Sequence, residues 1–189
     1  MSELGNLTLS DIPDLSGISD VQTFEAWSDG WYKGTILARR EFTDKTGSER
    51  VFESSDEPSQ GGDSRNIRLQ TEIVRQDGRT LNTSVLVNYR PEDLSQETIQ
   101  AVVAQREQTG KDNQWGDLFR PFMTLRRLGA IQRIAGVRQL QRNGNGGLDL
   151  TPVFGKVGYF KLGPDRKNPE LYKEVKDFSD KVGPKTKVL

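Results

Sequence analysis

NIRLQTEIVRQDGRTLNTSVLVNY, residues 66–89, decides the fold class. Ile67, Leu69, Thr71 and Ile73 alternate with Arg68, Gln70 and Glu72; after a break, Leu81, Thr83, Val85, Val87 and Tyr89 form one side of a second alternating run. A period of two sends successive side chains to opposite faces of a strand. Between the runs, Asp77-Gly78 is a tight-turn signal, because glycine takes the positive φ that such turns require. The stretch predicts an antiparallel hairpin with one buried face and one wetted face.

Upstream, GWYKGTILARREF (residues 30–42) reads as a strand with Tyr32, Ile36, Ala38 and Phe42 on one face and Trp31, Lys33, Thr35, Arg39 and Glu41 mostly on the other. Residues 43–65 are rich in turn formers, with Val51-Phe52 as a short strand among them. Downstream, Pro91 ends the hairpin, Asp93 and Ser95 are candidate N-caps, and a helix is expected up to Gly110. A second helical pattern runs from Leu118 through Phe122, Leu125, Leu128 and Ile131, with Gly129 and Gly136 expected to divide it. Residues 143–147 are a loop, and Val153–Leu162 and Leu171–Phe178 return to strand. The expected organisation is an arm over 1–29, a domain over 30–180 with a helical insert at about 93–142, and a frayed tail over 181–189.

The 189-residue chain suits one domain. It has no Cys and no His, which removes disulfides, thiolate or imidazole metal sites, and Ser-His-Asp catalysis. Gly183-Pro184-Lys185-Thr186 lacks the glycine before lysine of a phosphate loop, and Gly144-Asn145-Gly146-Gly147 lacks the third glycine of a dinucleotide fingerprint. The carboxylates between Asp44 and Glu57 do not follow a calcium-loop spacing. The expectation is a binding protein, not an enzyme, with no cofactor and no metal. Only 33% of residues are hydrophobic, no apolar run approaches a membrane span, and no signal peptide is visible, so a soluble cytoplasmic protein is expected.

The formal net charge of zero hides segregation. Residues 1–29 carry six carboxylates and no Lys or Arg, whereas residues 119–147 carry six Arg and no acid. Such polarity suggests a polyanion-facing surface beside an acidic arm that competes for it; the alternative is that the charges interleave in space and cancel. Proteins that hold single strands track phosphates with Lys and Arg and stack bases on exposed rings. The candidates are Trp31 and Tyr159 for stacking, with Lys33, Arg39, Arg68, Arg90, Arg126, Arg127, Lys156, Lys161, Arg166 and Lys167 for phosphate. Tyr32, Phe122 and Phe160 have a competing reading as core, and Arg126-Arg127 as the wet side of a helix.

Five or so strands with helices between the third and fourth is the order of an OB-type five-stranded antiparallel barrel, so the fold class expected is mainly β with a helical insert. The opening strand GWYKGTILARREF, the hairpin NIRLQTEIVRQDGRTLNTSVLV, the segment LRRLGAIQRI and the close GKVGYFKLGPDRKNPELYKEVKDF together resemble the OB-fold single-stranded DNA-binding proteins encoded by bacteriophages. The resemblance spans about 150 residues through pattern. It implies non-catalytic coating of single-stranded DNA in phage replication or recombination, inside the cytoplasm of the infected bacterium, with replication proteins and self-association as further partners. Many such proteins end in an acidic tail, whereas this chain ends GPKTKVL. The rival reading is a phage structural or assembly protein whose small barrel packs against other protein surfaces.

Overall fold

The hairpin forms where the alternation places it. β5 (Arg65–Val74) and β6 (Thr80–Tyr89) pair antiparallel along their whole length, from Arg65 opposite Tyr89 to Val74 opposite Thr80. The turn closes on Gly78, whose φ of 85° lies in the left-handed region. Ile67, Leu69, Ile73, Val85, Val87 and Tyr89 are buried on one face. The computed structural model describes residues 27–44, 46–109, 115–167, 169 and 172–189. The acidic segment therefore lies outside the described residues, apart from its last three.

Around this hairpin the chain builds a six-stranded sheet in the order β4-β5-β1-β7-β8, with β6 on the other edge of β5. β1 is Gly30–Leu37, β4 is Ser55–Pro58, β7 is Val157–Pro164 and β8 is Lys173–Ser179. The ladders between these six strands are all antiparallel. The class is mainly antiparallel β with helices. The hydrogen-bonded sheet is open: no ladder joins β6 to β8, so a closed five-stranded barrel is not formed by pairing. β4 continues along β5 the line that β1 leaves, since Leu37 pairs with Gln70 and Ser55 with Arg68.

The strand expected over residues 30–42 is two strands. The chain bends at Ala38, and β2 (Arg39–Thr43) pairs with β3 (Glu49–Glu53) as a separate two-stranded ribbon. Ser54 stitches its base: its N–H donates to Ala38 O at 2.8 Å, its hydroxyl donates to Leu37 O at 2.6 Å, and the Gln70 N–H donates to that hydroxyl at 2.8 Å. Leu37 breaks the alternation just before the bend, but a broken pattern shows only that the second face is not purely solvated, not that the strand changes partner.

The insert between β6 and β7 holds two helices, α1 (Gln96–Thr109) and α2 (Phe119–Ala135). Ser95 caps α1, its hydroxyl accepting the Thr98 N–H at 3.2 Å. Asp93, the other candidate, is buried, accepts the Arg90 N–H and pairs with Arg120. α2 stays continuous through Gly129, against expectation, because Leu128, Ile131 and Ile134 bury one side of it in the main core. That burial outweighs the roughly 1 kcal/mol cost of a helical glycine. It ends at Gly136, which has φ 73° and returns the Val137 N–H to Gln132 O.

The final segment is docked rather than frayed. Val188 forms a parallel bridge to Trp31, the Leu189 N–H donates to Trp31 O at 2.8 Å, and Gln76 Nε2 donates to Val188 O at 3.0 Å. Val188 and Leu189 supply apolar contact beside β1, a reason for docking that two hydrophobic residues in a Lys-rich tail do not reveal. Among the described residues, no helix is long and apolar enough to cross a membrane.

Candidate nucleic-acid interface

β1 and β7 bring four of the predicted residues together. Tyr32, Ile36, Phe160 and Leu162 point inward and are essentially unexposed, so the intervening side chains point outward. In the register Trp31 lies opposite Lys161 and Lys33 opposite Tyr159. Two half-buried rings and two exposed lysines thus form a checkerboard across adjacent strands. Cross-strand partners on one face stand about 4.5–5.5 Å apart at Cβ, close enough for a cation and a ring to serve one nucleotide. Glycine at 34 is required, because a Cβ there would meet Glu72 O at 2.8 Å and the Phe160 ring at 3.0 Å.

Beside the checkerboard lies an apolar groove of about 380 Å³, lined by Lys33, Thr35, Val74, Val157 and the docked Val188 and Leu189. Lys156, exposed immediately before β7, is held near its end by a bond from the Ile36 N–H to Lys156 O at 3.0 Å. The acidic neighbours are Glu72, opposite Thr35, and Asp177, opposite Lys161.

The other predicted residues are dispersed. Arg68 projects from the outer face of β5 between Ser55 and Leu86. Arg90, at the end of β6, faces Glu92 at 3.7 Å. Arg39 sits on the ribbon beside Glu41 at 3.0 Å. Arg166 and Lys167 are exposed in the loop between β7 and β8. Arg126 is engaged by Asp177 on β8, while Arg127 lines a small pocket with Phe119, Arg120 and Met123.

The run of arginines in residues 119–147 is not one basic surface. Arg120 pairs with Asp93, Arg126 with Asp177 and Arg133 with Asp180, so much of that charge is met by acids distant in sequence. For these residues the interleaving alternative is the correct one. Tyr32 and Phe160 are core as the competing reading had it, and Phe122 stacks on Trp115 at 4.1 Å.

Sequence reasoning placed a short strand at Val51-Phe52 but missed its pairing with Arg39–Thr43 as a ribbon. Phe42 and Phe52 stack at 5.2 Å, and the Arg40 guanidinium lies 5.6 and 5.4 Å from their centroids. Together with the outer face of β4 and β5 the ribbon bounds a cleft of about 400 Å³, lined by Phe52, Glu53, Glu57, Asn66 and Arg68 among others. The signal was present in the alternation of Arg40 with Phe42 and of Arg50 with Phe52.

At the ribbon tip, Asp44 accepts the Thr46 hydroxyl, the Arg50 guanidinium at 2.9 Å, and the Thr46 and Ser48 N–H groups at 2.8 and 3.1 Å. The Thr46 hydroxyl first, then Arg50, hold its carboxyl down at about 2, against an ordinary 3.8. A depressed carboxylate stabilises the folded tip above its unfolded pKa, and the contribution is lost as pH falls through the folded value. The Thr46 and Ser48 amide resonances should therefore move with a midpoint near 2 in a pH titration followed by NMR. A midpoint at 3.8 would mean that the tip network does not form in solution.

Beneath the outer face, Asp56 is 5% exposed and joins four elements. Oδ1 accepts Arg65 Nε at 2.9 Å; Oδ2 accepts the Tyr89 hydroxyl and the Leu148 N–H, both at 2.7 Å. Burial alone would lower Arg65, but the bond and charge of Asp56 outweigh it and raise its pKa. Burial, then Asp56, pushes the Tyr89 hydroxyl above its ordinary range. The group is a lock between β4, β5, β6 and the 143–148 loop. Among the described residues, no cluster of carboxylates suits a metal ion.

No family model, curated protein or solved structure matches the chain.

Proposed function

We propose that the outward face of β1 and β7 binds single-stranded DNA, without catalysis and without strong sequence preference. The observation that carries the reading is the checkerboard of Trp31 and Tyr159 with Lys161 and Lys33. Rings offer a stacking surface that every base satisfies, and the lysines neutralise phosphate without reading sequence. The apolar groove lined by Val74, Val157 and Val188 gives sugar and base edges a dry surface beside them.

The sheet order supports an OB-like arrangement, with β1, β5, β6, β7 and β8 as strands one to five and the helices between the third and fourth. In that arrangement residues 165–172 form the connection between strands four and five, one of the places where such folds contact oligonucleotides. Arg68, Arg166 and Lys167 then serve as outlying phosphate contacts. The setting that the phage resemblance implies is DNA replication or recombination.

Titrating fluorescent single- and double-stranded oligonucleotides at several salt concentrations tests this reading. Each neutralised phosphate on a single strand contributes about −0.7 to the log-log salt slope. The double variant K33Q/K161Q should flatten the slope by about 1.4 on that scale and weaken binding uniformly across sequences. Wild-type affinity that is flat in salt, or equal for duplex and single strand, counts against it.

A further inference from the structure

We infer that the β2–β3 ribbon is a docking arm for a second copy of this chain, each ribbon laying its cationic face on the acidic face of the next. The register divides the side chains. Arg40 lies opposite Phe52 and Phe42 opposite Arg50, so two arginines and two rings share one face with no acid within the strands. Arg39 lies opposite Glu53, Glu41 opposite Val51 and Thr43 opposite Glu49, which puts three carboxylates against one arginine on the reverse. The two faces are complementary to each other, and neither is complementary to itself.

The ribbon is also open to solvent on both sides. Every residue of its strands except Arg40 is exposed, including Phe42 at 39%, Val51 at 53% and Phe52 at 36%. Apolar side chains held out on an arm mark an interaction surface. A nucleic acid is the weaker occupant, because residues 39–53 balance four basic against four acidic residues and the acidic reverse face would repel phosphate. A second ribbon brings its own carboxylates to Arg40 and Arg50, at the roughly 10 Å spacing of stacked sheets.

Stacking unlike faces is heterologous, so it propagates into an open chain of copies unless the rotation happens to close a ring. Strands of five residues span only about 17 Å. The contact therefore falls well below the ~1,200 Å² of a standard interface, and association is weak and concentration-dependent.

Sedimentation velocity of the full chain without nucleic acid, over rising protein concentration, tests the inference. The wild-type average mass should climb. R40E/R50E makes both faces acidic and E41K/E49K/E53K makes both basic, so each alone should associate at least ~10-fold more weakly. Their equimolar mixture should recover assembly, because acidic ribbons then meet basic ones. Thermal melting checks that each variant folds. If either does not, a chain in which two glycines join Ala38 directly to Ser54 takes its place; these residues already share a 2.8 Å backbone bond, and this chain should stay monomeric. A wild type that remains monomeric throughout, single variants that assemble like wild type, or a mixture of folded variants that fails to recover overturns the inference. Loss of oligonucleotide binding in R40E/R50E with wild-type assembly intact assigns the cationic face to nucleic acid instead.

Discussion

Asp56→Ala is expected to lower the unfolding free energy by about 3–5 kcal/mol, the usual cost of removing one partner from a buried ion pair. The reason lies in what the substitution leaves behind. Arg65 would keep a guanidinium whose side chain is 13% exposed with no carboxylate beside it, while the Tyr89 hydroxyl and the Leu148 N–H would lose their 2.7 Å acceptor. Each unsatisfied buried group costs about 1–3 kcal/mol by itself. Tyr89→Phe, which removes one donor to the carboxylate and leaves the ion pair, should cost less, about 1.5–3 kcal/mol. Urea unfolding of both variants reads the difference. Near-equal costs, or a loss under about 1 kcal/mol for Asp56→Ala, would mean that Asp56 is solvated and the lock is not made.

The second large effect concerns binding. Trp31→Ala or Tyr159→Ala should weaken single-stranded DNA binding by about 1–3 kcal/mol each, the range found when a stacking ring is removed. Both side chains are half-buried and point away from the core that Tyr32 and Phe160 fill, so the fold should survive. Trp31 holds the docked C-terminal segment through its backbone oxygen, which the substitution retains. Because the two rings sit diagonally on adjacent strands, two register positions apart, their effects should be less than additive where one nucleotide contacts both. Stacking leaves the salt slope unchanged, which separates these variants from K33Q/K161Q. A loss of thermal stability without a specific binding defect would reassign the rings to structure.

The division between what the chain's local pattern determines and what packing decides follows the reach of each interaction. The β5–β6 hairpin and a helix start at Asp93 or Ser95 were legible because each depends on residues within a few positions of one another; packing decided for Ser95, and for a helix that crosses Gly129 and ends at Gly136. The alternation of Trp31, Lys33, Tyr159 and Lys161 fixed which side of each strand they occupy, but only the β1–β7 register set Trp31 against Lys161 and Lys33 against Tyr159.

Pairings between distant segments left no local trace. Asp177 and Asp180 neutralise arginines on α2 from about fifty positions away, turning an apparent basic tract into an interleaved surface. Ser54 bends the chain out of the sheet by bonding to Leu37 and Gln70, and so makes a ribbon that the reading of residues 30–42 as one strand did not separate. The sequence by itself determined the hairpin, the positions of the two helices and the closing strands, and which side chains share a strand face, since those follow from backbone periodicity. Tertiary structure decided which charges stay free and which strands meet, because charge pairing and strand pairing depend on distances in space that no spacing along the chain encodes.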